Sequence, residues 1–303
     1  MVEFIQYAEK LGLDEIWLGD EGPARDPLSV LAAAASRTRR IRLAVGITNP
    51  YVRHPATTAV AMMTVHELSG GRAILGLGVG GSLALSPLGI SPVHPLATMR
   101  QAMATMRAVT HGERGDGYAP PVGAMTAPDL PLFIGSRSPR LNRLASEIAD
   151  GAFVAGLPVS QVPQVVGWAR SVRDIPIALY ISAAFETEDV ERARPQMVWA
   201  LVNSSDATVA LTGHPRSAFQ AATVALHAGD PGPALKLMTD DVLRHVLLWG
   251  DPRDIGLCLA QLVREQRPTS IGLALLQLDV PRALDACAAS FAAMRQELSS
   301  ASL

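Results

Sequence analysis

The sequence is poor in cysteine and in charge, and each shortage excludes a class of protein. Its only two cysteines, Cys258 and Cys287, are far apart and form no CxxC motif, so we expect neither a disulfide framework nor a cysteine zinc site. The 26 lysines and arginines against 28 aspartates and glutamates form no sustained basic run, which predicts no nucleic-acid partner. No apolar stretch reaches about 18 residues, and Glu3 interrupts the pattern of a signal peptide. We therefore expect no membrane association and a location in the reducing cytoplasm.

Aliphatic residues are what the sequence has in abundance. Hydrophobic residues make up 49% of the 303 positions, while aromatic residues make up only 5%. Strands of a parallel sheet, which are buried on both faces, need such aliphatic runs, and here the runs alternate with amphipathic helical patterns. This alternation predicts an α/β fold. The candidate strands are residues 15–20, 41–47, 73–79, 131–136, 151–156, 176–185 and 270–276.

Seven strands are one fewer than a (β/α)8 TIM barrel requires. We predict such a barrel as a single domain over residues 1–303, with its first strand missing from this chain ahead of the first helix. Residues 187–248 are predicted to form a helical insertion without clear strands. An open doubly wound sheet is the competing architecture, but no GxGxxG motif occurs in the strand-to-helix context of that fold.

The predicted carboxyl ends of the strands are where a barrel of this type carries its chemistry. These ends are rich in glycine and poor in nucleophiles. Neither HExxH nor GxSxG occurs, and the seven histidines are scattered, so we expect no metal centre and no serine hydrolase. Glycine-lined strand ends instead suit a large planar cofactor with a phosphate tail, because the backbone can approach a ring and free N–H groups can hold phosphate.

The segment NPYVRHPATTAVAMMTVHELSGGRAILGLGVG at 49–80 resembles the luciferase-like superfamily of flavin- and deazaflavin-dependent oxidoreductases. Within it the chain looks most similar to methylenetetrahydromethanopterin reductase-like enzymes that use coenzyme F420. The similarity is strong over residues 2–156 and weak towards the carboxyl end. Its supporting segments are GLDEIWLGDE (12–21), GITNPY (46–51), ELSGGR (67–72) and EIADG (147–151).

The resemblance implies a luciferase-type barrel, usually a homodimer, with a helical insertion after the seventh barrel strand. It implies a hydride transfer between coenzyme F420 and a small organic substrate. It also implies a cis peptide bond at Gly46–Ile47, in a bulge beside the cofactor ring, and an Arg137 loop against the tail phosphate. The cofactor-binding residues predicted in this way are Gly46, Ile47, Thr48, Asn49, Gly78, Val79, Gly80, Gly135, Ser136, Arg137, Ser138, Ala155 and Gly156.

Asp20 and Glu21 are the candidate catalytic acids, because they follow a predicted strand and could supply a proton beside the ring. Many deazaflavin relatives have Asp-His there, so the resemblance implies that a carboxyl group replaces an imidazole. The GLGVGG loop at 76–81 also lacks a carboxylate that some sugar-phosphate-oxidising relatives have, and we do not expect glucose 6-phosphate as the substrate.

Other interpretations of the same residues stay open. An FMN-dependent monooxygenase would share the fold and the ELSGGR segment, and a non-catalytic flavin-binding relative would explain the missing strand and histidine. Asp20 and Glu21 could be solvated loop carboxylates. Ser138 before Pro139 is typical of an ordinary helix N-cap, and Glu67 with Arg72 suggests an ion pair across a turn.

Overall fold

The computed structural model describes residues 1–20, 25–80, 82–115, 118–202, 204–275 and 279–300. The chain forms two compact units, one of Met1–Phe153 with Trp168–Pro176 and one of Val154–Gly167 with Ile177–Leu303. Each unit combines parallel strands with helices, which confirms the predicted α/β fold. The single domain over 1–303 and the missing first strand stay predictions.

The first unit is a parallel sheet whose strands follow one another in chain order. Each of its first four strands pairs in parallel with the next one along the chain. The last strand crosses into the second unit at its final two residues. The elements are α1 (Val2–Lys10), β1 (Glu15–Leu18), α2 (Pro27–Ala35), β2 (Arg42–Thr48), α3 (Pro55–Ser69), β3 (Ala73–Leu77), α4 (Ser82–Leu85), a 3₁₀ turn (Ser86–Leu88), α5 (Pro95–His111), β4 (Leu132–Gly135), α6 (Pro139–Ile148) and β5 (Gly151–Ala155).

The second unit is built around one long strand with a shorter strand on each side. Its elements are a 3₁₀ turn (Val159–Gln161), α7 (Val162–Ala169), β6 (Ile177–Ala184), α8 (Thr187–Ala193), a 3₁₀ turn (Arg194–Met197), α9 (Val198–Val202), α10 (Asp206–Ala210), α11 (Arg216–His227), α12 (Gly232–Leu237), α13 (Asp240–Leu243), β7 (Leu248–Trp249), α14 (Pro252–Gln266), β8 (Ser270–Leu275) and α15 (Val280–Ser300). The strand β6 pairs in parallel with both β7 and β8. Helices α8–α13 enclose a core that includes Phe219, Met238 and Leu243.

All seven predicted strands are present, each within a few residues of its predicted bounds. The expectation that 187–248 lacks strands was wrong at its end, where Leu248 and Trp249 form β7 against Ala183 and Ala184. Two residues are too few to show an alternating pattern, so only their pairing with β6 identifies them as a strand. No helix in the described ranges is long and apolar enough for a membrane crossing.

Four helices begin in the same way, with a capping side chain directly before a proline. The capping side chain accepts a hydrogen bond from a backbone N–H of the first turn, and proline at the first helical position loses no helical bond. The prediction that Ser138 caps a helix is confirmed. The four capping residues are Asp26, His54, Ser138 and Asp251.

Arg72, at the end of the ELSGGR segment, ties together the elements that surround the start of β3. Its Nε donates to the Ser69 carbonyl at 2.7 Å. One terminal nitrogen donates to Thr38 Oγ1 and the Ile41 carbonyl, at 3.0 and 2.5 Å. The other donates to the carbonyls of Ala35 and Thr38, at 3.2 and 3.0 Å. All five N–H donors of this guanidinium are therefore used within the protein.

The predicted ion pair between Glu67 and Arg72 was wrong. Among the described residues no such pair is present, and Arg72 has no donor left for a carboxylate. The reason is tertiary, because carbonyls from the ends of α2 and α3 and from the start of β2 converge on the guanidinium. The ELSGGR segment thus has a structural role at the amino end of the strands.

Candidate functional site at the carboxyl ends of the strands

The carboxyl end of β2 contains a bulge. Val45 pairs with Leu75, whereas the next partners are Thr48 and Leu77, so β2 uses one more residue than β3 over this stretch. The extra length falls at Gly46 and Ile47, and the peptide bond between them is cis. Both features implied for this position by the resemblance, the bulge and the cis bond, are confirmed.

The Ile47 side chain explains why glycines line this end of the sheet. A Cβ atom on Gly78 would collide with Ile47 Cδ1 and lie 2.8 Å from the Gly135 carbonyl oxygen. A Cβ atom on Gly135 would lie 2.7 Å from Ile47 Cγ2, and one on Gly76 would be 2.5 Å from the Val45 carbonyl oxygen. The sequence analysis assigned Gly78 and Gly135 to the close approach of a cofactor ring, whereas in the structure Ile47 occupies the space beside both.

Trp17 also packs against the bulge, and the sequence analysis did not single it out. Its ring stacks on Phe153 with centroids 4.4 Å apart and lies 5.7 Å from the ring of Phe133. Its Nε1 donates to Glu15 Oε1 at 2.5 Å. A Cβ atom on Gly46 would collide with the Trp17 ring, so Gly46 is required by packing. The signal in the sequence was a large aromatic in a predicted strand that is otherwise aliphatic.

Asp20 and Thr48 come together above the bulge. The buried Thr48 hydroxyl donates to Asp20 Oδ2 at 2.7 Å. The Thr48 carbonyl accepts from the Gly78 N–H at 2.8 Å, which joins the ends of β1, β2 and β3 through one residue. This leaves Asp20 Oδ1 available to a ligand, because no described residue bonds to it. Glu21, the other candidate acid, lies outside the described residues.

Asn49 holds the loop that follows β2. Its side chain is buried, and its Oδ1 accepts from the backbone N–H groups of Tyr51 and Val52, each at 3.0 Å. This carbonyl oxygen is therefore occupied by its own loop, so Asn49 shapes the backbone that follows β2. Val79 and Gly80 follow β3, and Gly80 has a φ of +80°, which favours glycine.

The loop Gly135–Ser138 connects β4 to α6. Ser136 Oγ accepts from the Ser138 N–H at 3.0 Å, and Ser138 Oγ caps α6 by accepting from the Leu141 N–H at 3.3 Å. Arg137 lies between these two serines and is half-buried. No hydrogen bond or ion pair joins its guanidinium to any described residue. Burial lowers the pKa of Arg137, because the loss of water disfavours the charged form.

Ala155 and Gly156, the remaining predicted cofactor contacts, lie in the second unit at the end of β5 and just beyond it. Gly156 has a φ of +64° and so requires the conformational freedom of glycine. Their contribution to the site stays a prediction.

A cavity of 370 Å³ lies at the other end of the strands, beside the connections that lead into β3 and β4. His66 lines it, and His66 Nε2 lies 3.3 Å from Asp129 Oδ2. In the part of the chain that the structure describes, no group of three histidine, cysteine or carboxylate side chains could hold a metal ion.

Comparisons with known proteins identify the family and the fold of the chain. Residues 1–268 match the family described as luciferase-like monooxygenase. The 5,10-methylenetetrahydromethanopterin reductase of Methanolobus tindarius is 30% identical over 272 residues, which cover 84% of this chain and 83% of that protein. The F420-dependent glucose-6-phosphate dehydrogenase of Nakamurella multipartita is 31% identical over 163 residues, 48% of each chain.

A solved structure with lower sequence identity shows the same fold. The coenzyme F420-dependent tetrahydromethanopterin reductase from Methanopyrus kandleri superposes with a TM-score of 0.78, covers 95% of this chain and 92% of its own, and is 24% identical. The chain therefore has the α/β fold of that enzyme, and the predicted family resemblance is confirmed.

Proposed function

The chain belongs to the luciferase-like monooxygenase family and is an oxidoreductase of that family, and we propose that it exchanges a hydride between coenzyme F420 and a small organic substrate. The observation that carries the choice of cofactor is the similarity to the methylenetetrahydromethanopterin reductases, which extends over 84% of the chain. A riboflavin lyase whose solved structure contains modified FMN is more distant in sequence, at 17% identity.

The residues at the strand ends fit a cofactor with a phosphate-bearing tail. Arg137 is a half-buried cation without a partner among the described residues, and it stands at the start of α6. A helix start presents unbonded N–H groups and the positive end of the helix dipole. A phosphate bound there would give Arg137 the anion that the protein itself does not supply.

The bulge of β2 fits the ring of the same cofactor. The Ile47 side chain packs tightly against Gly78 and Gly135, so the backbone of Gly46–Thr48 cannot move into the sheet. A rigid backbone segment of this kind would hold the cofactor ring in a fixed orientation relative to the substrate. Hydride transfer requires such alignment of donor and acceptor. Coenzyme F420, when bound, would supply a deazaflavin ring that carries two electrons as a hydride.

Asp20 is placed to handle the accompanying proton. The hydrogen bond from Thr48 engages Oδ2 and orients the carboxyl group. Oδ1 would then hold or accept a proton at the substrate side of the ring. Glu21 stays a second candidate for this role. The identity of the small substrate and the homodimer implied by the resemblance stay predictions.

Equilibrium titration of the purified chain with oxidised coenzyme F420 and with FMN tests the proposal. We expect F420 to bind at about micromolar Kd, with FMN at least about tenfold weaker. Micromolar binding of FMN without binding of F420 would contradict it. Oxygen consumption with reduced FMN would then identify the monooxygenase alternative.

A further inference from the structure

Asn142, one turn into α6, is tied to the loop that carries Arg137, and the sequence analysis did not single it out. We propose that Asn142 is a positioning residue, which turns the backbone N–H of Arg137 toward the cofactor phosphate. The inference rests on the proposed function, because it assigns a role at the phosphate end of that same site.

The side chain of Asn142 bridges two carbonyls of the loop. Its Nδ2 donates to the carbonyl oxygens of Ser136 and Ser138, each at 3.0 Å. The residue is completely buried, so no water competes for these bonds. An amide NH₂ group has two donors, and both are used on the two residues that flank Arg137.

Holding the Ser136 carbonyl fixes the direction of the next N–H group. A trans peptide unit is planar, and its carbonyl and N–H point in opposite directions. The Ser136 carbonyl faces Asn142, so the N–H of Arg137 points away from Asn142. No described residue accepts a hydrogen bond from this N–H, which leaves it free for an anion.

Holding the carbonyls inward also removes a repulsion. If the carbonyl of Ser136 turned outward, its oxygen would present partial negative charge to a bound phosphate. The Ser138 carbonyl is held by the Asn142 backbone N–H as well, at 3.0 Å, so the Asn142 side chain matters most for Ser136. The oxygen of the Asn142 amide, Oδ1, has no partner among the described residues. An unsatisfied buried oxygen costs free energy that an apolar side chain would avoid. The two hydrogen bonds that Nδ2 donates to the loop carbonyls explain why an asparagine is nevertheless present.

The test compares Asn142→Leu with Ser146→Ala. Leucine has a similar size and no donors. Ser146 is an equally buried polar residue one turn further along α6, where it bonds the Val172 N–H and the Arg143 carbonyl and not the loop. Kd is measured for coenzyme F420 and for its deazariboflavin core without the phosphate tail. FMN and riboflavin form a second pair of the same kind.

We expect Asn142→Leu to raise the Kd of F420 about tenfold while the Kd of the core changes less than about twofold. Ser146→Ala should leave the ratio of the two constants unchanged. Asn142→Ala, which removes the same donors, replaces the leucine variant if that variant does not fold. An equal loss for both ligands, or no loss for either, overturns the positioning role.

Failure of the proposed function gives a different result. If the wild-type chain binds FMN and riboflavin but not the deazaflavins, the F420 assignment falls. The ratio of the FMN and riboflavin constants then decides the role of Asn142 by the same criterion. Binding of neither pair overturns both proposals.

Discussion

Two arginines of the first unit, Arg72 and Arg137, are surrounded very differently. Both guanidinium groups are partly buried, and burial lowers the pKa of each. Arg72, at the amino end of β3, makes five hydrogen bonds within the protein, from 2.5 to 3.2 Å long. Arg137, beyond the carboxyl end of β4, makes none with the described residues. The arginine at the amino end of the sheet is thus satisfied by groups of the protein, whereas the one at the carboxyl end has no partner among the described residues.

This difference separates a structural charge from a functional one. A half-buried cation costs desolvation energy in either place. At Arg72 the protein itself compensates this cost with carbonyl oxygens, so the charge is part of the fold. At Arg137 no described residue supplies this compensation, and the proposed function assigns it to the phosphate of a bound cofactor. Substitutions should therefore affect stability at the first arginine and affinity at the second.

Arg72→Met should show the largest effect. It leaves four hydrogen-bonded carbonyl groups without their donor, so we expect the free energy of unfolding to fall by about 3 kcal/mol. Urea denaturation measures this loss. The exposed Arg37→Met is the control and should change stability by less than about 0.5 kcal/mol. A loss at Arg72 no larger than at Arg37 would show that the five bonds do not stabilise the fold.

Arg137→Gln should weaken the binding of the cofactor without destabilising the fold. We expect the Kd of F420 to rise about thirtyfold, as for the loss of one charge-assisted contact of about 2 kcal/mol. The melting temperature should stay constant or rise, because a desolvated charge is removed. Fluorescence titration and thermal unfolding provide the two measurements.

Arg143→Gln is the matched control for Arg137. Arg143 lies on the exposed side of the same helix and pairs with Glu147, so its loss should leave the Kd of F420 within about twofold. If Arg137→Gln destabilised the protein without changing the Kd, the functional interpretation of this arginine would be wrong.

Glu9→Gln, at the amino end of the sheet, should lower the free energy of unfolding by a smaller amount that depends on pH. Glu9 Oε1 accepts from the N–H groups of Arg39, Arg40 and Ile41, at 2.8, 2.6 and 2.9 Å. Burial alone would raise the pKa of Glu9, but these three donors and the charge of Arg72 lower it below its ordinary value. A lowered carboxyl pKa stabilises the fold above the unfolded pKa, and this stabilisation is lost as the pH falls through the folded pKa.

We therefore expect Glu9→Gln to lower the free energy of unfolding by about 1 kcal/mol at pH 7. The difference in this free energy between the variant and the wild type should become smaller below about pH 4. Denaturant unfolding across this pH range measures it. Glu3→Gln, on the exposed part of the same helix, is the control. A difference that stays constant with pH would show that the Glu9 charge contributes nothing.

Much of the fold follows from local pattern. The seven predicted strands are present because aliphatic runs bounded by helical segments are a short-range signal. Ser138 caps α6 for the same reason, since a cap and the following proline are adjacent in the chain. The position of the cis bond at Gly46–Ile47 came from the family resemblance, which a continuous segment carries.

The candidate site was less predictable, because it depends on residues that are distant in the sequence. Asp20 and Thr48 meet only when β1 lies beside β2. Trp17 has its role only because Phe153, four strands further along the chain, stacks on it. The strand β7 exists only through its pairing with β6.

The sequence by itself determined the α/β class, the strands, the family and the stretches that hold the candidate site. Only the tertiary structure decided which groups compensate one another: that Ile47 fills the space beside Gly78 and Gly135, that Arg72 is satisfied by carbonyls and not by Glu67, and that no described residue pairs with the guanidinium of Arg137. The reason is that hydrophobic periodicity and capping act over a few residues, whereas packing and charge compensation depend on which distant segments the fold brings together.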